Sequence, residues 1–599
     1  MSNIEQIQPD MRKGSWQTTS WLKVNAHIKM LRGKIYQARK SGDPSRMRRY
    51  QDLMLRSDAN ILHSIRRVTS INVGKRTPGM DKMLIKTNTD RWALFCKIRA
   101  MSRADWVKEA KPARRIYIPK PNGKLRPLGI PSILDRVIQA IVKNALEPEW
   151  EQAFEGCSYG FRPKRSCHDA LARVYLTVAR QKKKLWVLDA DIKGCFDNIS
   201  HNTITEALSG FPALEVVKAW LTAGYCEFPD TTVIETNAGT PQGGVISPLL
   251  SNIALHGMEK ALGIKHVSTT EQAYGTNKFT LVRYADDFVV FARTEQDCIE
   301  AKAILETFIA QRGMSFAPDK VHITHLSQGI KFLGCKIKLY GSKNTLLITP
   351  HPDKVKAHMD KCRAIWIKYR GQNPMVAIKT LNPIIMGWAN YYRPWVSSKV
   401  FSDLDHFMWH RSWRFALRRH PTKNHKWVAN TYFGRQEGPS KNKWRFFSFW
   451  KGSRLFLKKY SDVKIVRHVI VKNNMDPDDP SREATAYWKK RDANRQSAVW
   501  QGQQGRLLIA KRQYHTCPIC FETLYNDEEL HLHHILPKKQ GGKDVVTNLV
   551  LLHEICHRQV HSVFFEGKQD MRDRIKNLRQ HFKELIVMPE LVQTENTTD

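Results

Sequence analysis

Residues 280–291 read Thr-Leu-Val-Arg-Tyr-Ala-Asp-Asp-Phe-Val-Val-Phe, two adjacent carboxylates between two apolar, β-favouring runs. The pattern predicts a hairpin with Asp286 and Asp287 at its tip. Neighbouring half-buried carboxylates repel each other and cost stability, so a chain that keeps them there needs something cationic beside them. Two divalent metals ~3.5–4 Å apart, the arrangement used for in-line phosphoryl transfer, meet that need. A bare Asp-Asp is more often an acidic β-turn; the flanking runs and the rest of the chain favour the metal site. A second acidic strand end, Leu185-Trp186-Val187-Leu188-Asp189-Ala190-Asp191, adds Asp191 to make three carboxylates for two metals. Asp189, Asp197 and Asp135 are weaker candidates that read as capping or surface acids. Asp191 taken alone fits a helix cap as well.

Two further stretches carry chemistry. Pro241-Gln242-Gly243-Gly244 has glycines that let backbone approach a ligand closely, although alone it is a Gly/Pro turn. Residues 115–131 read as a basic hairpin turning at Asn122-Gly123. Lys120 and Arg126 flank that turn and can meet a triphosphate, or simply be solvated.

Charge narrows the partner. The 599 residues hold 97 Lys+Arg against 56 Asp+Glu, a net charge of +41. A surplus of this size points to a polyanion, and to nucleic acid first. No apolar run approaches the ~20 residues of a spanning helix. Met1–Gln6 has neither a basic n-region nor an h-region, which predicts a soluble, intracellular protein. The length predicts about four domains. Of the 11 cysteines, eight are scattered singly and three (Cys517, Cys520, Cys556) fall in one late cluster, which suggests metal in place of a disulfide framework.

Trp21, Leu22, Val24, Ile28, Leu31, Ile35 and Tyr36 predict basic helical structure over 20–70. Lys75-Arg76-Thr77-Pro78-Gly79-Met80-Asp81 interrupts it. Residues 100–345 mix strands and helices. Residues 350–450 read as mainly helical, with aromatic residues interleaved with arginine around 381–393 and 409–421. That suits one core-facing side and one side that stacks on bases and contacts phosphates. Residues 451–510 stay basic, with an acidic, proline-containing break at Met475-Asp476-Pro477-Asp478-Asp479-Pro480. The polar end, 590–599, is expected to fray.

In the last module Cys517, Cys520, His553 and Cys556 form a Cys-x-x-Cys plus His-x-x-Cys set suited to a structural, tetrahedral Zn²⁺. His533, His557 and His561 remain for a second, catalytic metal, the last two sharing a helix face. His534 can deprotonate water, and Asn548 can hold the imidazole by a hydrogen bond.

Taken in order, these blocks resemble a reverse transcriptase of the group II intron-encoded maturase type. The order is Gly74-Lys75-Arg76-Thr77-Pro78-Gly79-Met80-Asp81, the Lys120/Arg126 hairpin, Tyr159-Gly160-Phe161-Arg162-Pro163, Asp191 to Phe196, Pro241-Gln242-Gly243, Tyr284-Ala285-Asp286-Asp287, residues 313–320 and Phe332-Leu333-Gly334. The resemblance implies that Asp191, Asp286 and Asp287 bind two Mg²⁺ and that Lys120 and Arg126 hold the incoming triphosphate. It implies that Phe196 packs under the sugar and rejects a 2′-hydroxyl, that Gln242 and Gly243 position nucleotide or template, and that Lys320 protonates pyrophosphate. The last module resembles an HNH (ββα-metal) endonuclease, with His534 and Asn548 as its first His and Asn and His557 or His561 as its last His. It departs from that pattern at His533, where Asp is common, and at His553, where Cys is common.

The implied architecture is α+β and multidomain: a right-hand polymerase, an α-helical thumb, a basic DNA-binding region and a zinc-containing ββα-metal domain. The expected divisions are an N-terminal extension of the fingers at 1–90, fingers and palm at 91–345, the thumb or maturase (X) domain at 346–450, a DNA-binding region at 451–510, the HNH module at 511–570 and a tail at 571–599. The implied functions are RNA-directed DNA polymerisation, intron RNA binding that promotes splicing, and nicking of target DNA to prime reverse transcription during intron mobility. The implied cofactors are two Mg²⁺, a structural Zn²⁺, and Mg²⁺, Mn²⁺ or another divalent metal in the nuclease. The implied partners are group II intron RNA, target DNA and dNTPs, with no membrane and with a homodimer allowed. The implied location is the bacterial cytosol or an organelle, on the nucleoid when DNA is bound. Three rivals stay open: a purely RNA-binding maturase, a reverse transcriptase of a retron or diversity-generating element, and a zinc-finger DNA-binding protein without nuclease activity.

Overall fold

The computed structural model of this chain describes residues 15–119, 123, 125–181, 183–227, 232–265, 277–436, 444–450, 452–473, 475–499, 504–526, 528–561 and 573. Lys120, Asn122 and all of the 571–599 tail except Asp573 lie outside the described residues. Three helices open the described chain: Trp21–Lys40, Pro44–Arg56 and Asp58–Arg66. In the first, Trp21, Val24, Ile28, Leu31 and Ile35 recur every three or four residues and are buried, the stripe a packed amphipathic helix requires. It lies against the long helix Ile133–Ala153, whose Val137, Ile138, Ile141 and Val142 are buried. Each such side chain contributes roughly 1.5–3 kcal/mol. Helix Asn88–Ala100 starts at a Thr87/Asp90 capping box. A domain boundary at residue 90 would therefore cut a helix that packs on Asp58–Arg66.

The next strands in chain order are β1 (Ala113–Pro119), β2 (Leu125–Ile130), β3 (Trp186–Asp191), β4 (Tyr225–Glu227), β5 (Thr280–Tyr284), β6 (Asp287–Ala292) and β7 (His322–His325). An antiparallel sheet runs β5-β6-β3-β7. Leu188, Ala190, Phe288 and Val290 face the N-terminal helical core, while Val187, Val289 and Phe291 face a second core shared with the segment after the sheet. Burial on both faces explains why these strands read as continuous apolar runs. A smaller sheet runs β2-β1-β4, with β1 and β2 antiparallel and paired as far as Pro119↔Leu125.

Strands Ile330–Phe332, Cys335–Tyr340 and Thr345–Pro350 form a sheet that leads into helices Pro352–Lys368, Pro374–Tyr392, Ser398–Arg419 and His425–Tyr432. The mainly helical reading of 350–450 fails at its end. Phe433–Gly434, Arg445–Trp450 and Ser453–Phe456 make an antiparallel sheet, because Arg-Phe-Phe-Ser-Phe-Trp is an aromatic, β-favouring run. Phe446 packs there against Trp366 and Phe415, with ring centroids 5.6 and 6.1 Å away. A boundary between 450 and 451 would cut this hairpin.

The acidic break at 475–480 is a strap. Asp478 accepts two hydrogen bonds from Arg32, each 2.7 Å long, and the same guanidinium reaches Glu147 at 2.9 Å. Asp476 accepts from the Tyr36 hydroxyl at 3.0 Å and from Arg165 at 3.2 Å. Nearby, the buried Asp169 accepts from His468 at 2.9 Å, the Val471 N–H at 2.9 Å and Arg491 at 2.7 Å. Burial alone would raise Asp169, but these hydrogen bonds outweigh it and hold the carboxyl down to about 2. Removing one partner of such a buried pair costs about 3–5 kcal/mol.

The last module pairs Leu530–His534 with Leu549–His553 and closes with helix Glu554–His561, a ββα unit. Val550, Leu551, Leu552 and Cys556 join the hydrophobic core of the N-terminal helices. Among the described residues no helix is long and apolar enough to cross a membrane.

Candidate active sites

Strand register assembles the first site. Asp191 lies opposite Asp287 across β3 and β6, and Asp286 sits in the turn between β5 and β6. That turn needs Ala285 in a left-handed conformation, φ +60°, which costs an L-residue roughly 1–2 kcal/mol. Groups below hold it there. Arg283, fully buried, donates from Nη1 to the Ala285 carbonyl at 3.3 Å and to Asn252 Oδ1 at 3.1 Å. Asn252 Nδ2 donates to the Gly160 carbonyl at 2.9 Å. Gly160 lies so close that a Cβ there would meet the backbone of Tyr284 and Ala285. Gly160→Ala should displace the acids and lower primer extension about 10²-fold with template–primer affinity unchanged; steady-state extension beside equilibrium binding checks it. Sequence reasoning missed Arg283 and Asn252, for which no local pattern signals a supporting role.

The electrostatics are those of a site built for cations. Burial and the neighbouring Asp191 push Asp286 up. Dehydration, Asp286 and Asp191 push Asp287 up to about 6. Asp189 is neither a cap nor a surface acid: it lies mid-strand on the face of Asp191, where burial, Asp287 and Asp191 push it up to about 7. Asp135 lies buried in the first turn of Ile133–Ala153, where Ser132 is the cap: its N–H donates to Ser132 Oγ at 3.0 Å and its carboxylate accepts from that hydroxyl at 2.7 Å. Asp197 is half-exposed, 4.0 Å from Arg115. Lys320 forms an ion pair with Asp191. That pairing raises its own pKa.

Around the acids, Arg126 on β2 is exposed and its charge opposes the upward shifts of Asp286 and Asp287. Phe196 is half-buried and meets Phe161 edge-on, centroids 6.1 Å apart. It also borders a cavity of about 280 Å³ with Arg115, Tyr225 and Thr240. Phe161, largely exposed, is a missed neighbour; the next residue, Arg162, pairs its buried guanidinium with Glu151 at 2.9 Å. The Gln242 carbonyl accepts from the Gly129 N–H at 2.8 Å, which joins the Gln242-Gly243 loop to β2.

The ββα module holds two groups. Ligand atoms of Cys517, Cys520, His553 and Cys556, all buried, lie within 4.8 Å of one another. His553 Nε2 is 3.1 Å from the Thr523 carbonyl; donating there leaves the Nδ1 lone pair facing the thiols, as a metal-binding imidazole requires. His533, His557 and His561 form the second group within 4.8 Å. Burial and the neighbouring imidazoles push His533 down to about 4, and a neutral ring is the form that binds metal. His534 stands outside that trio. Its Nε2 meets Asp544 Oδ1 at 2.6 Å. Among the described residues Asn548 bonds no imidazole: Oδ1 accepts from the Leu536 N–H at 2.8 Å, and Nδ2 donates to the Leu536 and Lys543 carbonyls at 3.0 and 3.1 Å. The imidazole-holding role expected of Asn548 is thus corrected. Its buried amide satisfies loop backbone, and the carboxylate that meets the His534 ring is Asp544.

Fold and sites define a reverse transcriptase joined to an HNH endonuclease. Residues 118–337 match the reverse transcriptase (RNA-dependent DNA polymerase) family and 16–98 its N-terminal domain. Residues 355–433 match the group II intron maturase-specific domain, and 517–562 match the HNH endonuclease. Protein YkfC of Escherichia coli K12 is 32% identical over 49% of this chain and 84% of its own length. The group II intron-encoded protein LtrA of Lactococcus lactis is 32% identical over 51% of this chain and 64% of its own. A Candida albicans telomerase structure aligns at 13% identity and a TM-score of 0.32 over 55% of this chain and 62% of its own, too slight a likeness to carry an argument. The chain belongs to the group II intron-encoded reverse transcriptase/maturase family with a C-terminal HNH endonuclease domain, so the resemblance read from its sequence is borne out.

Proposed function

We propose that the protein binds its intron RNA, promotes splicing by holding that RNA, and moves the intron into DNA by nicking a target strand and copying RNA from the exposed 3′ end. The observation that carries this reading is the pairing, in one chain, of a three-carboxylate strand end with a separate ββα module bearing its own histidine trio. Asp191, Asp286 and Asp287 would hold two Mg²⁺, which supply charge that favours the primer 3′-alkoxide and the transferring phosphate. Arg126, with Lys120, would bind the triphosphate of an incoming dNTP. Phe196 would bound the sugar, and Gln242 and Gly243 would border nucleotide or template. Lys320 would shield Asp191 and then yield it.

In the nuclease, His533, His557 and His561 would hold a divalent metal that polarises water or phosphate. His534 would take the proton from water at Nδ1, since its Nε2–H is donated to Asp544 Oδ1, and Asp544 would fix the ring and stabilise the imidazolium. Asn548 would keep the 535–543 loop in shape. Cys517, Cys520, His553 and Cys556 would hold structural Zn²⁺. The helices from Pro352 to Tyr432 would serve as the thumb and grip template–primer and intron RNA. Arg363, Arg370, Arg411, Arg414 and Arg418 crowd together there, beside the stacked Trp409 and Trp413, centroids 5.9 Å apart. Arginines interleaved with aromatic rings suit phosphate contact and base stacking. The basic stretch after the thumb would touch DNA.

Target-primed cDNA synthesis by the co-purified protein and intron RNA tests the whole reading. His534→Ala should abolish nicking and target-primed cDNA yet leave extension of a pre-annealed primer within about twofold, since the two sites use separate residues. Joint loss of both activities would refute that division.

A further inference from the structure

The HNH helix forms one wall of a cleft of about 1110 Å³. His557 and His561 line it on that side, and Lys75, Arg76, Lys86 and Arg91 of the N-terminal domain line it on the other. Its volume exceeds the ~300–1,000 Å³ of small-molecule pockets and suits a length of polymer.

The two walls are held in register. Arg66 Nη2 donates to both carboxylate oxygens of Glu528 at 2.6 Å, with side chains only 3% and 7% exposed. The Trp21 ring lies 4.6 Å from the same guanidinium. Gln559, between the two histidines on the HNH helix, donates to the Thr19 and Gln17 carbonyls at 2.9 and 3.3 Å. The position of the histidines relative to the N-terminal domain is therefore set by buried hydrogen bonds and not by a tether.

The charges of the cleft are unbalanced. Of its three carboxylates, Glu528 is engaged by Arg66, Glu554 forms an ion pair with Arg558, and Glu529 lies 3.7 Å from His531 Nε2, on the HNH side. Arg76 and Lys86 have no carboxylate partner among the described residues. Arg91 donates to neutral oxygens, Thr69 Oγ1 at 3.1 Å and Asn88 Oδ1 at 2.9 Å. Cations gathered opposite a candidate metal centre need an anion whose reacting bond reaches that centre, and a phosphodiester chain is such an anion. We propose that Lys75, Arg76, Lys86 and Arg91 hold the phosphates of the DNA strand offered to the His533/His557/His561 centre. The nuclease's substrate site is then shared between the N-terminal domain of the reverse transcriptase and the HNH module. The proposal rests on the HNH reading above and adds to it the residues that bind substrate. RNA offers the same phosphates; the nuclease centre in the same cleft assigns the site to DNA.

The test uses full-length R76Q/K86Q beside the unsubstituted protein. Neither side chain has a carboxylate partner to lose, so folding should be retained, as primer extension on a pre-annealed RNA template will report. Nicking of a labelled target duplex should fall about tenfold or more at moderate salt. The slope of log affinity for duplex DNA against log salt should flatten by about 1.8, near 0.9 for each phosphate no longer neutralised. Affinity for labelled intron RNA should stay within twofold. An unchanged DNA salt slope overturns the shared cleft, as does a fall in RNA affinity without one for DNA. If the unsubstituted protein fails to nick with any divalent metal, the HNH reading falls, and the DNA salt slope still decides the cleft.

Discussion

Asp286→Ala should lower dNTP incorporation on an RNA template by more than about 10³-fold, beyond the ~10²–10³ that one neutral hydrogen-bond donor supplies. The loss should be so large because Asp286 shares its end of the palm sheet with Asp191 and Asp287, and no other described carboxylate occupies that turn. Two accompanying results separate lost chemistry from lost fold. Template–primer affinity should hold or rise, since a negative charge has left the path of a polyanion. The melting temperature should also hold or rise, since burial and like charge both oppose ionisation of Asp286 and function keeps it at a cost in stability. Nicking should persist. Retained extension would remove Asp286 from the site.

The second large effect should come from the cysteine cluster. Cys556→Ser, or prolonged chelation, should release one zinc per chain, abolish nicking and open residues 511–561 to protease. Structural zinc contributes about 10–16 kcal/mol to small metal-nucleated folds, more than a module of this size can replace with its own core. The damage should spread. Val550, Leu551 and Leu552 pack with the N-terminal helices, and unfolding the module would strip Glu528 from the buried Arg66, an uncompensated charge worth about 3–5 kcal/mol. A lowered melting temperature for the reverse transcriptase should therefore accompany the loss of nicking. Metal analysis that finds no zinc in protein purified without chelator, with the module still protease-resistant, would sink the assignment.

Much of this is legible in the sequence because the signals are local. The Asp286-Asp287 tip follows from apolar runs on either side, and Cys517-x-x-Cys520 with His553-x-x-Cys556 follows from short spacing, within a turn and across a strand-to-helix junction. The helical stripe of Trp21 to Ile35 needs only a period of 3.6 residues. Other readings fail where a residue's partner lies far along the chain. The 475–480 segment reads as a break because proline and aspartate end helices; its partners, Arg32, Tyr36 and Arg165, are hundreds of residues away in sequence. The sequence offers Asn548 to hold the imidazole, whereas the His534 ring meets Asp544 and the Asn548 amide bonds loop backbone, because those partners depend on how the 535–543 loop folds back. The 445–456 hairpin lies at the end of a helical region; its aromatic run favours a strand, but six residues are too short a signal to fix it until Phe446 packs on Trp366 and Phe415.

By itself the sequence determined which groups this protein brings to chemistry: the carboxylate pair, the thiols and histidines, and the cationic surplus. Those depend on residue type and short spacing alone. Only the tertiary structure decided which groups meet. Asp191 reaches Asp287 through β-strand register, Arg283 and Gly160 hold the Ala285 turn from beneath, and Arg76 and Lys86 face His557 across a cleft. Meetings of that kind join distant segments, and hydrophobic burial, which sets how segments pack, has no direction that a local pattern could record.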